Sequence, residues 1–196
     1  MTDYYDVYAD RFLESTRDVD MKCLRNRFLA ALPKSFTGKS RILDAGTGSG
    51  RDALAFQNDG YLVSAFDASP SMVRAAMDHS GIPVRQMRFE SFEWEHPFEG
   101  IWACASLLHV ACADLTRVMR NLSAHLVAEG VLYASFKLGE GERQSEGRRF
   151  TDMTEITFST HLDECRELRQ IDVWRTEDRR VDKSDQSWLN VLLRKA

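Results

Sequence analysis

The sequence predicts a single α/β domain with a seven-stranded, mostly parallel sheet that ends in an antiparallel strand pair. Two patterns carry this prediction. From residue 41 to residue 136, short apolar runs alternate with helical segments, and parallel neighbours need crossover helices to join them. The last two apolar runs, residues 171–176 and 188–193, have no helix between them, so they pair antiparallel at one edge. A chain of 196 residues, 43% hydrophobic and 29% charged, suits one well-cored domain. No repeat, low-complexity tract or Pro/Gly/Ser linker divides it.

The elements follow in order. Tyr5, Tyr8 and Phe12, then Met21, Leu24, Phe28, Leu29 and Leu32, recur at helical spacing until Pro33 ends the run. A first strand at 41–44 runs straight into a glycine cluster, and a helix at 51–58 stops at Gly60. A second strand at 61–66 is closed by Asp67, and Pro70 sits where the next helix, 71–77, begins. A third strand at 84–87 precedes a charged and aromatic stretch, 88–99. The fourth strand, 101–105, is a nearly continuous apolar run, as for a strand buried on both faces. A helix at 115–126 leads to a fifth strand at 131–136, a polar loop at 139–149, and a helix starting near Thr154.

The net charge of −4 gives no general attraction to nucleic acid or an anionic membrane. It fits a small or neutral partner better than a polyanion. Cys23, Cys104, Cys112 and Cys165 are widely spaced, without a Cys-x-x-Cys pair. They read as reduced thiols rather than disulfides, and no metal site is expected. The opening residues are acidic and aromatic, unlike a signal peptide. No apolar run approaches the ~20 residues that span a bilayer. The protein reads as soluble and cytoplasmic, and its oligomeric state is left open.

The glycine cluster, Leu43-Asp44-Ala45-Gly46-Thr47-Gly48-Ser49-Gly50, joins a strand to a helix. That is where open α/β sheets bind ligands. Gly46 and Gly48 remove side chains where a ligand must lie on backbone, and Gly50 permits close packing of the following helix. The helix start offers free N–H groups and a partial positive charge. Asp67 ends the next strand, 17 positions after Gly50. An acid at about that distance accepts hydrogen bonds from ribose hydroxyls, the alternative being an ordinary helix-capping or loop acid.

Ile42-Leu43-Asp44-x-Gly46-x-Gly48-x-Gly50 and Phe66-Asp67-Ala68-Ser69-Pro70-Ser71-Met72 together resemble the first two motifs of class I methyltransferases dependent on S-adenosylmethionine (SAM). The order of elements agrees over most of the chain. The resemblance implies a Rossmann-like fold, with residues 1–38 as an N-terminal helical lid and 39–196 as the α/β core. The Gly48-Ser49-Gly50-Arg51-Asp52-Ala53 variant is similar to small bacterial methyltransferases related to tellurite resistance. By position, the resemblance implies that Gly46 and Gly48 flank the methionine part of SAM. Asp44 would organise the loop and the ammonium, Arg51 would pair with the SAM carboxylate, and Ala68 and Met72 would lie on the adenine. Arg51 reads equally as a solvated helix residue. After the third strand many relatives have Asp and a small residue, whereas this chain has Arg88-Phe89-Glu90. Phe89 would pack near the base and Glu90 would replace the acceptor, unless both are surface residues.

SAM carries its own leaving group, so methyl transfer asks mainly for alignment, and a general base only if the acceptor must lose a proton. The turn Ala105-Ser106-Leu107-Leu108-His109-Val110 follows the fourth strand. By resemblance, Ala105 and Ser106 pass beside the methionine and methyl group. His109 reads either as a general base or as a histidine hydrogen-bonded in a buried turn. Tyr5 and Tyr8 either close the cofactor pocket or belong to a helix core. Arg143, Arg148 and Arg149 near Phe150 suit an anionic acceptor, but Glu140, Glu142 and Glu146 argue for a solvated loop. Phe92, Trp94 and Phe98 line either an acceptor site or the core. No Asn/Asp-Pro-Pro-Tyr/Phe segment of base-modifying methyltransferases is present. The acceptor is therefore expected to be a small molecule, neither nucleic acid nor membrane. Two other readings remain: a SAM-binding regulator without transfer activity, and a nicotinamide-dependent oxidoreductase, whose fingerprint would want glycine at Arg51.

Overall fold

The computed structural model describes residues 2–34, 39–180 and 185–196. Three helices open the chain: α1 (Thr2–Val7), α2 (Ala9–Thr16) and α3 (Lys22–Ala31). The sheet and its crossovers follow as β1 (Arg41–Ala45), α4 (Arg51–Asn58), β2 (Leu62–Asp67), α5 (Pro70–Ser80), β3 (Val84–Gln86), β4 (Phe98–Ala103), α6 (Cys112–Ala124) and β5 (Leu126–Lys137). Then come β6 (Gly141–Ser145), β7 (Arg148–Asp152), α7 (Glu155–Glu164), β8 (Leu168–Glu177) and β9 (Ser187–Lys195).

The main sheet has seven strands in the order β3-β2-β1-β4-β5-β9-β8. The first five are parallel, and β9 runs antiparallel to both β5 and β8. The expected fold class holds, with β9 inserted between β5 and the edge strand β8. Because β1 lies between β2 and β4, the chain winds outward in both directions from the β1–β4 pair. Such a switch point leaves a crevice at the carboxyl ends of the two strands, where loops diverge.

Alternation along the strands divides the core. On one face Ile42, Trp102 and Tyr133 meet Leu24, Phe28 and Leu32 from the α3 segment and Phe56 of α4. On the other, Leu43, Ile101 and Leu132 meet Leu115, Val118 and Met119 of α6 and Phe158 of α7. Thus α3 is a layer of the core, while α1 and α2 lie elsewhere, over the crevice. The expected boundary of the lid at residue 38 lies outside the described residues.

Several boundaries differ from expectation. Residues 139–149 are not a solvated loop, because β6 and β7 form an antiparallel hairpin from Gly141↔Asp152 to Ser145↔Arg148. The alternation of charged residues that suggested a loop is that of a two-stranded ribbon with an exposed face. The charged stretch ends earlier than expected, since Phe98 and Glu99 open β4 and are fully buried. At its other end β4 stops at Ala103, and Ala105 takes a left-handed conformation with φ 51°.

Candidate active site

The crevice holds two cavities that share a neck. The narrower, about 120 Å³, is lined by Asp67, Ala68, Met72, Phe89, Glu90 and Ser106, among others. The wider, about 280 Å³, is lined by Asp44, Arg51, Tyr133, Lys137, Arg148 and Trp188, among others. Tyr5, Phe12, Gly46, Gly48, Ala105 and His109 border both. Every cofactor-site residue expected from the sequence therefore lines one cavity or the neck. Tyr8, Phe92, Trp94 and Phe98 line neither. Phe92 and Phe98 belong to the core, with Phe92 stacked on Phe66 and Trp94 beyond it.

The glycine loop owes its shape to positions where a side chain is excluded. Gly46 has φ 75°, and a Cβ there would sit 2.5 Å from Ser106 Cβ. Gly50, also at φ 75°, caps α4, and a Cβ would stand 2.9 Å from Ala76 Cα. Two backbone bonds, from Gly46 N–H (2.9 Å) and Thr47 N–H (3.0 Å) to the Phe66 carbonyl, tie the loop to β2. Thr47 Oγ1 donates to Asp44 Oδ2 at 2.6 Å. Ser106, in the turn after β4, donates to the Ala45 carbonyl at 2.7 Å and closes the floor between the strands.

Asp67 ends β2 and accepts from Gly48 N–H and Ser69 N–H, both at 2.9 Å. Burial nevertheless raises its carboxyl above the usual range, against these backbone donors. Each carboxylate oxygen keeps a free lone pair. No cation neutralises Asp67 among the described residues, so hydroxyl donors from a ligand are its natural complement.

Arg51 does not stand free in solvent. Its Nε and Nη2 donate to Asp52 at 3.2 and 2.6 Å, and its Nη1 donates to the Thr16 carbonyl at 3.1 Å, where α2 ends. Arg25 from α3 donates to the same Asp52 at 2.7 Å, and Trp102 Nε1 does so at 3.1 Å. Burial alone would raise the Asp52 carboxyl, but Arg51 and Arg25 outweigh it and hold it low. Asp44 lies in the same group; burial, with Asp52 adding to it, pushes its carboxyl up to about 7. Asp52 and Arg25 were not foreseen, because an acid in a first helical turn and an arginine 27 positions earlier look like solvated residues.

The N-terminal helices close over the neck. Asp6 of α1 accepts from Ser69 Oγ at 2.6 Å and Ser71 N–H at 3.1 Å, docking α1 on the start of α5. Tyr5 Oη lies 2.7 Å from His109 Nε2, and Phe12 packs edge-on against Tyr5. His109 Nδ1 lies 2.7 Å from the Arg149 carbonyl, which can only accept, so Nδ1 carries the proton and Nε2 accepts from Tyr5. Burial lowers His109 to about 4, with the Arg149 carbonyl opposing, and raises the Tyr5 phenol to about 12, with Arg148 opposing.

Residues 42–130 match the family model described as a methyltransferase domain. That span contains the glycine loop, Asp67 and the turn through His109. The matched span is similar to a methyltransferase domain. Over 142 residues it is 24% identical to an uncharacterized methyltransferase of Staphylococcus carnosus, covering 67% of this chain and 69% of that one. Among solved structures, 1,6-didemethyltoxoflavin-N1-methyltransferase of Burkholderia thailandensis, with 1,6-didemethyltoxoflavin and S-adenosylhomocysteine (SAH) bound, superposes with a TM-score of 0.77. Identity is 21%, covering 100% of this chain and 86% of that one. Magnesium protoporphyrin IX methyltransferase of Synechocystis, with SAM bound, gives a TM-score of 0.73 at 13% identity, covering 100% and 95%. At these identities the two structures establish a common fold for the methyltransferase domain. No helix among the described residues is long and apolar enough to cross a membrane.

Proposed function

We propose that the chain transfers a methyl group to a small-molecule acceptor in the wide cavity, with SAM lying across the neck. The chain is a SAM-dependent methyltransferase; the acceptor class and the residue roles are the proposal. The observation that carries the roles is the pair of cavities joined at Tyr5, Gly46, Ala105 and His109. One cavity contains a buried acid without a cationic partner among the described residues, and the other is the larger of the two.

The cradle fits the group. Gly46 leaves the room that a Cβ would fill, and Asp67 offers free lone pairs to a ribose diol. Phe89, Met72 and Ala68 supply apolar walls for adenine, with Glu90 at the rim of the same cavity. Arg51 and Arg25 share one carboxylate, Asp52, so one positive charge remains uncompensated there, and the Arg51 guanidinium still has N–H groups to offer. That charge suits the carboxylate of SAM, and Asp44, next to it, suits the ammonium. Ala105 holds its strained backbone where the two cavities meet.

SAM, when bound, supplies an activated methyl group on a sulfonium. The chain's residues then orient the acceptor and exclude water, which is where most of the rate is won. Tyr5 and Phe12 cover the neck from the lid side. His109, with its lowered basicity and both nitrogens engaged, positions Tyr5 rather than removing a proton. The wide cavity beside the neck favours catalysis over a regulator with SAM but no acceptor space. The narrower likeness to tellurite-resistance-related enzymes concerns only the glycine loop and the start of α4.

Calorimetric titration with SAM, SAH and NADH tests the cofactor assignment. SAM and SAH should bind with dissociation constants on the order of micromolar, and NADH should not bind. A folded protein that ignores both SAM and SAH would overturn the reading.

A further inference from the structure

The far wall of the wide cavity is cationic in a way that methyl transfer alone does not require. Lys137 ends β5 with its ammonium 4.4 Å from the centre of the Phe150 ring. No carboxylate lies within ion-pairing distance of it among the described residues. Arg148 of β7 stacks its guanidinium 3.7 Å over Tyr4 and stands 5.2 Å from the Phe150 ring centre. Its side chain is only 15% exposed; Glu146 takes one end, and Nε is buried without a partner. A buried donor left without a partner is costly unless a ligand completes it. Phe150 in turn lies 5.0 Å from the His109 ring, so the two cations flank the neck.

The other charges of this cavity are mostly committed. Arg180 pairs with Asp178, Arg179 donates to the Asp20 carbonyl, and Arg51, beside Asp52, is the cation proposed above for the SAM carboxylate. Glu177 is exposed, and Asp44 has its carboxyl pushed up by burial. Burial lowers the Lys137 ammonium, and Arg143, Arg180 and Arg148 lower it further, with Asp152 opposing. The lysine sits in a field of excess positive charge. At the neck, among the described residues, His109 is a weak base whose free lone pair already holds the Tyr5 hydroxyl. An acceptor that had to lose its proton during the reaction would not find its base in His109.

We propose that the wide cavity takes its acceptor already ionised: a small organic acid whose anionic oxygen sits between Lys137 and Arg148. Charge-assisted bonds to both cations select the anion and complete the buried Arg148 donor. When the anionic oxygen is the methyl acceptor, its new C–O bond forms as the C–S bond of the sulfonium breaks. The negative and positive charges disappear together, and no proton is released. This inference rests on the methyltransferase reading above and deepens it by naming the class of acceptor.

The test uses the full chain loaded with SAH, whose binding is first measured by calorimetry. Benzoate is then compared with its neutral isostere benzamide, and 4-nitrophenol serves as a probe whose yellow phenolate reports its own ionisation. Benzoate should bind at least about tenfold more tightly than benzamide, and bound 4-nitrophenol should be acidified by about one pKa unit. Lys137→Met and Arg148→Gln should each abolish most of that preference while SAH still binds, which also shows that the variants are folded. Arg169→Gln, at an exposed surface pair with Glu129, should preserve it. Equal affinity for benzoate and benzamide, including no binding of either, sinks the inference, as does a bound nitrophenol that is not acidified. Failure of SAH to bind overturns the methyltransferase reading as well, so the two failures are distinguishable.

Discussion

Tyr5 and His109 are 104 positions apart and meet in a 2.7 Å hydrogen bond across the neck between the two cavities. The bond joins the first helix to the turn after β4, so lid and floor touch at the place where methyl transfer is proposed. Burial holds both partners neutral near neutral pH: it lowers the imidazole to about 4 and raises the phenol to about 12. A neutral pair costs less to bury than an imidazolium.

His109 should stay neutral down to about pH 5, and its imidazole NMR resonances should titrate near 4 rather than 6.5. The unfolded chain binds a proton at this site in that interval and the folded chain does not. The group therefore contributes stability above 6.5 that is lost as pH falls toward 4. The full effect is on the order of 3 kcal/mol. His109→Gln should flatten this part of the pH–stability profile measured by urea denaturation. Asp44, with its carboxyl raised to about 7, contributes with the opposite sign, so the difference between wild type and variant is the quantity to read.

Asp67→Ala should weaken SAH binding about 10- to 100-fold, the loss expected for hydrogen bonds to a charged acceptor. The sheet should survive, since the Asp67 side chain, at the end of β2, bonds only to loop backbone. Calorimetry with circular dichroism reads both properties. Undiminished affinity in a folded variant would remove Asp67 from the ribose role.

Asp52→Asn should destabilise the fold by about 3–5 kcal/mol, because it leaves Arg51 and Arg25 buried without their shared anion. The Arg51 link to the Thr16 carbonyl should loosen with it. Denaturant midpoints measure the first effect, and limited proteolysis between α2 and α3 measures the second. A midpoint like that of wild type would show that the two arginines find other partners.

Two glycines with left-handed backbone should respond differently to alanine. Gly60 (φ 91°) faces open space, so Gly60→Ala should cost about 1–2 kcal/mol of backbone strain. Gly50→Ala adds a methyl 2.9 Å from the Ala76 backbone and should cost several kcal/mol more, together with SAH affinity. Equal thermal midpoints for the two variants would refute the packing argument.

The glycine cluster, Asp67 and the order of strands were legible because each is local. A left-handed turn demands glycine, an open sheet places its ligand after particular strands, and hydrophobic period distinguishes strand from helix. Residues 139–149 show where local reading fails. Their alternating charges suit a loop as well as a ribbon, and only the pairing of Gly141 with Asp152 separates the two. Asp52 shows the same limit in the site. In sequence it is an ordinary acid of a first helical turn, and its role depends on Arg25 arriving from another helix.

The sequence by itself determined the α/β class, the glycine loop that leaves room for a ligand, and the acid that ends β2. Only the tertiary structure decided that Arg51 shares Asp52 with Arg25, that Tyr5 meets His109, and that Lys137 and Arg148 converge on Phe150. Backbone conformation and hydrophobic period are set by neighbours along the chain. Electrostatic partnerships are set by distance in space and by the loss of water between groups, and neither exists until the sheet has brought its remote segments together.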